Sequence, residues 1–123
     1  MKITLPVQSK EIKDGKVVTT ESEQEFELDM SLNAQIRYET KFPELAERED
    51  LFHYGKRICE LKNQSAGLLL SQLKLIYCWF DTEMSFKEFS KLFDLSDGKY
   101  LKKLVDRLRE VFEIISNSSA EKN

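Results

Sequence analysis

The chain has 123 residues, of which 41% are apolar and 33% are charged, and its net charge is −3. This length fits one domain, and the apolar content is too high for general disorder. The negative charge argues against sequence-independent nucleic-acid binding, because displacing counterions from phosphates requires a positive surface.

The first thirty residues have the alternation of β-strands. Polar and apolar residues alternate over residues 2–5 and again over residues 25–30. Asp14-Gly15, between these segments, is a strong turn signal. We therefore predict a β-hairpin or a small antiparallel sheet over residues 1–30.

From Ser31 onward the apolar spacing changes to that of helices. Ser31 is a suitable N-cap for a helix that runs to about Lys41, shortly before Pro43. Apolar residues fall on two sides of this helix, so we expect it to contact neighbours on both. One side carries Leu32 and Ile36, and the other carries Ala34, Tyr38 and Phe42.

Capping signals mark the later helices. Asp50 and Ser65 can each cap a helix, and the segment from Ser85 to Glu88 has the SxxE form of a capping box. A last amphipathic helix is expected over about residues 99–115, followed by a flexible polar tail over residues 117–123.

The helix that begins at Ser65 is the most apolar part of the chain. Placed at 100° per residue, its apolar positions between Leu68 and Phe80 cover an arc of about 220°. A surface helix needs a much narrower stripe, so this helix is predicted to be the central one. A membrane span is excluded because the apolar run is too short and contains Lys74.

These elements predict an α+β fold that is mainly α. A single domain of residues 1–123 would place a β element over residues 1–30 and a bundle of about five helices over residues 31–116. The N-terminal segment has no continuous apolar run, so we expect no export signal and a cytoplasmic protein.

Reactive residue groups are scarce, so we expect no enzyme, no cofactor and no metal site. The single histidine, His53, cannot form a site with two imidazoles and is expected on the surface. Cys59 and Cys78 are expected to be reduced, buried thiols. Asp81 and Glu83 flank the end of the apolar helix and are expected to contact solvent.

The last helix carries the best candidate basic patch, which keeps a helical DNA-binding regulator as an alternative function. Asp106 and Glu113 each follow a member of the patch by four residues, so we expect the charges to be largely neutralised and no nucleic acid to bind. The patch consists of Lys102, Lys103, Arg107 and Arg109.

A third hypothesis is a small enzyme that uses Asp81 or Glu83 in a pocket lined by Tyr77 and Trp79. It ranks last because nothing else in the sequence supports catalysis.

The helices carry more apolar surface than a small bundle obviously hides. Either the hairpin and the last helix cover all of it, or part serves self-association or a partner. The residues expected to be reachable for protein contacts, because they lie on short or terminal helices, are Phe89, Phe93, Val105, Leu108 and Phe112.

Two segments carry a resemblance to a known family. They read EFELDMSLNAQIRYETKFPELAEREDLFHYGKRI, Glu25 to Ile58, and LSQLKLIYCWFDTEMSFKEFSKLFDL, Leu70 to Leu95. They resemble the tail assembly chaperones of long-tailed phages and prophages of Gram-positive bacteria. The match extends over about residues 2–116 and rests on the pattern of elements and on short stretches of similar sequence.

The resemblance implies a non-enzymatic chaperone. Such a protein would self-associate into rings or spirals and coat the tape measure protein before the tail tube polymerises. A frameshifted longer form, diverging near Ser116, and the tail tube protein are further partners that the resemblance implies. The protein would act in the cytoplasm of the bacterial host and be absent from the mature virion.

Overall fold

The chain folds into a small antiparallel sheet followed by packed helices. The computed structural model describes the backbone of residues 1–121 and the side-chain environments of residues 1–117. The predicted α+β, mainly α, fold is confirmed. The strands are β1 (Lys2–Lys13), β2 (Lys16–Leu28) and β3 (Phe80–Asp81), and the helices are α1 (Asn33–Lys41), α2 (Pro43–Ala46), α3 (Leu51–Glu60), α4 (Ala66–Trp79), α5 (Phe86–Ser90) and α6 (Gly98–Glu121).

The predicted hairpin and its turn are confirmed. β1 and β2 pair antiparallel from Lys2 opposite Glu27 to Lys13 opposite Lys16. The two turn residues between them both have positive φ, 52° and 76°. Aspartate tolerates that conformation and glycine adopts it freely, which is why Asp-Gly favours this turn.

A third strand was not predicted. Helix α4 ends at Trp79, and Phe80 adopts extended geometry with φ −99° and ψ 135°. Phe80 pairs with Leu28 and is fully buried. The helical arc had included Phe80 because an apolar residue satisfies helical spacing and buried extended structure equally well.

Helix α4 is the central helix, as predicted. Its N-cap Ser65 accepts a hydrogen bond from the amide of Leu68 at 3.1 Å. Helices α1, α3, α5 and α6 all pack against it. Its buried residues are Leu68, Leu69, Gln72, Leu73, Leu75, Ile76, Tyr77 and Cys78.

The other capping predictions are mostly confirmed. Asp50 caps α3, and Ser85 and Glu88 form a complete capping box at α5. The exception is α1, which begins at Asn33, with Leu32 and not Ser31 as its N-cap residue. The Ser31 hydroxyl accepts from the Asn33 amide at 3.2 Å, so it forms a turn just ahead of the helix.

Helix α1 contacts the body on one side only, so the expectation of neighbours on both sides is wrong. Ala34 and Tyr38 are buried against the other helices. Leu32 is 79% exposed and Ile36 is 54% exposed. No described element covers this second apolar side.

Helix α6 extends beyond its expected end. It runs to Glu121, so residues 117–121 of the predicted tail are helical, and residues 122 and 123 lie outside the described part. Its first turn is capped by Asp97, whose Oδ1 accepts from the amides of Lys99 and Tyr100. In the described part of the chain, no helix has both the length and the apolarity to cross a membrane.

Candidate protein-binding groove

An open apolar groove lies between α3, α4 and the C-terminal half of α6. Its volume is about 420 Å³. Leu51 and Leu75 are buried at its base, and Phe112 and Ile115 of α6 are almost completely buried along its wall. The side chains facing the opening are therefore mostly apolar.

Gly55 allows the two helices at the base of the groove to approach closely. A Cβ atom at this position would lie 3.3 Å from Cδ1 of Leu75, which is tighter than ordinary van der Waals contact. The groove is therefore bounded by a close α3–α4 contact.

Phe52 is the most exposed aromatic residue at the groove, with 64% of its surface accessible. It follows Leu51 directly at the start of α3, so it points away from the buried stripe that Leu51 shares with Tyr54 and Ile58. Lys56 and Glu60 add one positive and one negative charge to the lining. An apolar slot with a charged rim suits the apolar face of an amphipathic helix.

Cys59 lines the groove and is exposed, so the prediction that both cysteines are buried is wrong for Cys59 and confirmed for Cys78. The groove walls desolvate the Cys59 thiol and, with the charge of Glu60, raise its pKa. A raised pKa reduces the reactive thiolate form, so the geometry does not favour Cys59 as a nucleophile.

The residues considered for catalysis do not come together. Asp81 and Glu83 are exposed and lie outside the groove lining, whereas Trp79 is part of it. Tyr77 is buried, and its hydroxyl donates to the carbonyl of Met84. Among the described residues, Tyr77 therefore does not share an open pocket with Trp79 and one of these carboxylates.

His53 lies on the surface, as predicted, with Nδ1 2.8 Å from Oδ1 of Asp50. Across residues 1–121, no three histidine, cysteine, aspartate or glutamate residues are grouped so that they could hold a metal ion.

The five residues expected to be reachable for protein contacts are largely core residues. Phe89 and Leu108 are fully buried, and Val105 and Phe112 are more than nine-tenths buried. Phe93 is partly buried against the same core. These side chains are buried because α5 and α6 are enclosed by the sheet and α4. Of the five, only Phe112 lines the groove.

Sequence reasoning missed the residues that are in fact exposed. Phe52, Leu32 and Ile36 lie outside the buried side of their helices. The available signal was their angular position, because each is displaced from the buried positions of its own helix.

The basic patch on α6 is partly occupied by contacts with the hairpin. Lys103 Nζ lies 2.8 Å from Oε1 of Glu21, and Arg107 Nε donates to the carbonyl of Thr4 at 2.9 Å. The expected pairs with Asp106 and Glu113 are not among the salt bridges of the described residues. Arg107 also pairs within the helix, with its Nη1 3.1 Å from Oε2 of Glu110. Two of the four basic residues are therefore held by contacts other than the expected ones.

Comparison with protein-family models gave no match, and comparisons with curated proteins and with solved structures gave no significant match.

Proposed function

We propose that the protein is a non-enzymatic phage tail assembly chaperone that self-associates and binds the tape measure protein during tail assembly. The observation that carries the proposal is the open apolar groove between α3, α4 and α6, with Phe52 exposed beside it. The resemblance described above supplies the identity of the client.

The groove suits a helical client. Apolar side chains from one face of an amphipathic helix would enter between α3 and α6 and contact Phe52 and Trp79. Lys56 and Glu60 would remain hydrated or pair with charges on the client helix. Burial of apolar surface supplies the affinity, at about 25 cal/mol per Å² before the costs of association.

A long client would be held by many copies. One shallow groove gives modest affinity, but self-associated copies bind neighbouring segments of the same chain and so raise the overall affinity. Release follows as the tail tube polymerises around the tape measure protein. The proposal includes action in the host cytoplasm, absence from the mature virion, and a frameshifted longer form that diverges near Ser116.

The test is capture of the client. The tagged protein is co-expressed with segments of a tape measure protein, and each segment is assayed for co-purification. Phe52→Asp places a charge beside the groove and is expected to lower capture at least severalfold. Leu95→Asp is the matched control, because Leu95 is similarly exposed but lies outside the groove lining.

The result expected is strong capture by the wild type and by Leu95→Asp, and weak capture by Phe52→Asp. Capture of no segment by the wild type would overturn the proposed client. Equal capture by both variants would show that the groove is not the binding site.

A further inference from the structure

The outer half of the hairpin projects from the body. We call residues 9–22 of β1 and β2 the arm; each of these residues is exposed. Ile12 and Val17 face each other across the two strands and are 80% and 66% exposed. Two-stranded ribbons are at best marginally stable in water, so further strands would stabilise the arm.

The register shows which backbone groups of the arm point outward. Lys13 and Lys16 flank a two-residue turn and form a hydrogen-bonded pair. Because hydrogen-bonded pairs alternate with non-hydrogen-bonded pairs along the ladder, the odd residues of β1 and the even residues of β2 bond to each other. The even residues of β1 and the odd residues of β2 therefore direct their N–H and C=O groups away from the hairpin. Contacts lower on β1 agree, since Gln8 donates its amide outward to Leu92 O at 2.9 Å. Pro6, which has no N–H, also occupies an outward position.

The two edges of the hairpin differ in how far they are covered. On β1, α6 and its preceding loop satisfy outward groups of Thr4, Pro6 and Gln8. On β2, strand β3 pairs only at its base, at Glu27 and Leu28. From Val17 to Glu25, the outward groups of β2 have no hydrogen-bond partner among the described residues.

The charges along β2 limit the part of this edge that can accept another strand. Glu23 and Glu25 place carboxylates along its lower part, and charged side chains of this kind discourage strand pairing, whereas the Glu21 carboxylate is paired with Lys103. The upper part, Val17-Val18-Thr19-Thr20, is uncharged and entirely β-branched. β-Branched residues favour extended structure, so this part is suited to accept another strand.

We propose that the arms of two copies of this chain pair antiparallel through their β2 edges, with the two-fold axis at Thr19. The result is a four-stranded sheet in which each β2 strand lies between its own β1 and the second copy's β2. This pairing deepens the self-association in the proposed function and identifies the surface responsible. None of the arm residues lines the groove.

The charges of β2 are compatible with this register. Centring on Thr19 places threonine opposite threonine and Val17 opposite the second copy's Glu21, so no like charges are opposed. Centring on Glu21 would oppose two identical carboxylates. The Thr19 register pairs residues 16–22 of both copies. Such a contact is isologous and closes at two copies, so larger rings or spirals require a second, different contact.

Proline substitution tests the edge without breaking the hairpin. Thr19 directs its N–H outward, so Thr19→Pro removes a donor from the dimer contact and none from the β1–β2 ladder. Ile12→Pro is the matched control, since it removes an outward donor from the β1 edge of the same arm. Oligomeric state is measured by light scattering and sedimentation, with circular dichroism to compare folding.

The wild type and Ile12→Pro are expected to be dimers. Thr19→Pro removes one central hydrogen bond from each copy and is expected to raise the dimer dissociation constant roughly tenfold or more. A monomeric wild type, a Thr19→Pro variant with an unchanged dimer dissociation constant, or equal weakening by both variants would overturn the proposal.

A cross-link provides a second test that does not depend on proline. In a Cys59→Ser background, Thr19→Cys places two thiols across the proposed axis, within the Cα separation that disulfides accept. Val17→Cys is the control, because this register puts it opposite Glu21 and far from its own symmetry mate. Oxidation should give disulfide dimers of Thr19→Cys and none of Val17→Cys. Disulfide dimers of Val17→Cys without dimers of Thr19→Cys would reject the register. Client capture is measured separately with the Phe52→Asp variant. The dimer contact and the client-binding groove can therefore each be refuted without the other.

Discussion

Phe26 and Phe80 stack face to face, with ring centroids 4.7 Å apart and an angle of 4° between the planes. Phe26 belongs to β2 and Phe80 immediately follows the central helix. The pair therefore joins the sheet to the helical part at the point where the chain changes from helix to strand. Phe89 of α5 packs edge-on against the Phe26 ring at 5.4 Å.

Removing one ring of this stack should destabilise the whole domain. Phe80→Ala is expected to lower the free energy of unfolding by about 3–5 kcal/mol, because a fully buried aromatic side chain leaves a cavity. Phe52→Ala is the control and should change stability by about 0.5 kcal/mol or less, since Phe52 is largely exposed. Urea unfolding of both variants gives the comparison, and similar losses would contradict the assigned core.

The hydrogen bond between Tyr100 and Pro6 should contribute to holding α6 on β1. The Tyr100 hydroxyl donates to the Pro6 carbonyl at 2.8 Å in a buried environment. Tyr100→Phe leaves that carbonyl without its donor and should cost about 1–3 kcal/mol in the free energy of unfolding. Chemical denaturation measures the loss, and unchanged stability would show that another donor satisfies the carbonyl.

Acid should weaken the fold partly through Asp29. Hydrogen bonds from the hydroxyl and amide of Ser31, together with the Arg37 guanidinium, hold the Asp29 pKa below its usual 3.8. The folded state therefore binds fewer protons than the unfolded state. The stability that the Asp29 carboxylate contributes is complete above pH 3.8. It is lost as pH falls through the lowered pKa of Asp29 in the folded state.

Asp29→Asn should accordingly reduce the loss of stability between about pH 5 and pH 2. Thermal unfolding across this range measures the slope. Asp81→Asn is the control, because Asp81 is exposed and has no salt bridge among the described residues. An identical slope in the wild type and Asp29→Asn would contradict the role of Asp29.

The two cysteines should differ in reactivity. Cys59 is exposed, whereas burial raises the pKa of the Cys78 thiol to about 12. A thiol reagent should modify one cysteine in the native protein and the second only on unfolding. Labelling of Cys59 should accelerate as pH rises, because its own pKa is raised. Cys59→Ser should abolish the native reaction, and rapid native labelling of that variant would contradict the burial of Cys78.

Local signals predicted much of the fold. The Asp14-Gly15 turn, the Asp50 and Ser65 caps and the Ser85–Glu88 capping box all act through bonds between residues close in sequence. The central position of α4 followed from the width of its apolar arc, which no single neighbour can cover. These features depend on short-range geometry, so sequence reasoning reaches them.

The candidate sites were less predictable. Phe89 and Phe52 are both phenylalanines on helices, yet one is enclosed by the aromatic cluster and the other is exposed at the groove. The difference depends on which distant element covers each position. The same holds for Lys103, whose carboxylate partner Glu21 lies 82 residues away.

The amino-acid sequence by itself determined the hairpin, its turn, the order of the helices and most helix starts, because those follow from backbone preferences and side-chain spacing within a few residues. Tertiary structure alone decided that Phe80 becomes a strand residue, that one side of α1 has no neighbour among the described residues, and that α3, α4 and α6 leave a groove. The physical reason is that burial depends on contacts between segments far apart in the chain, where many apolar residues compete for the same limited interior.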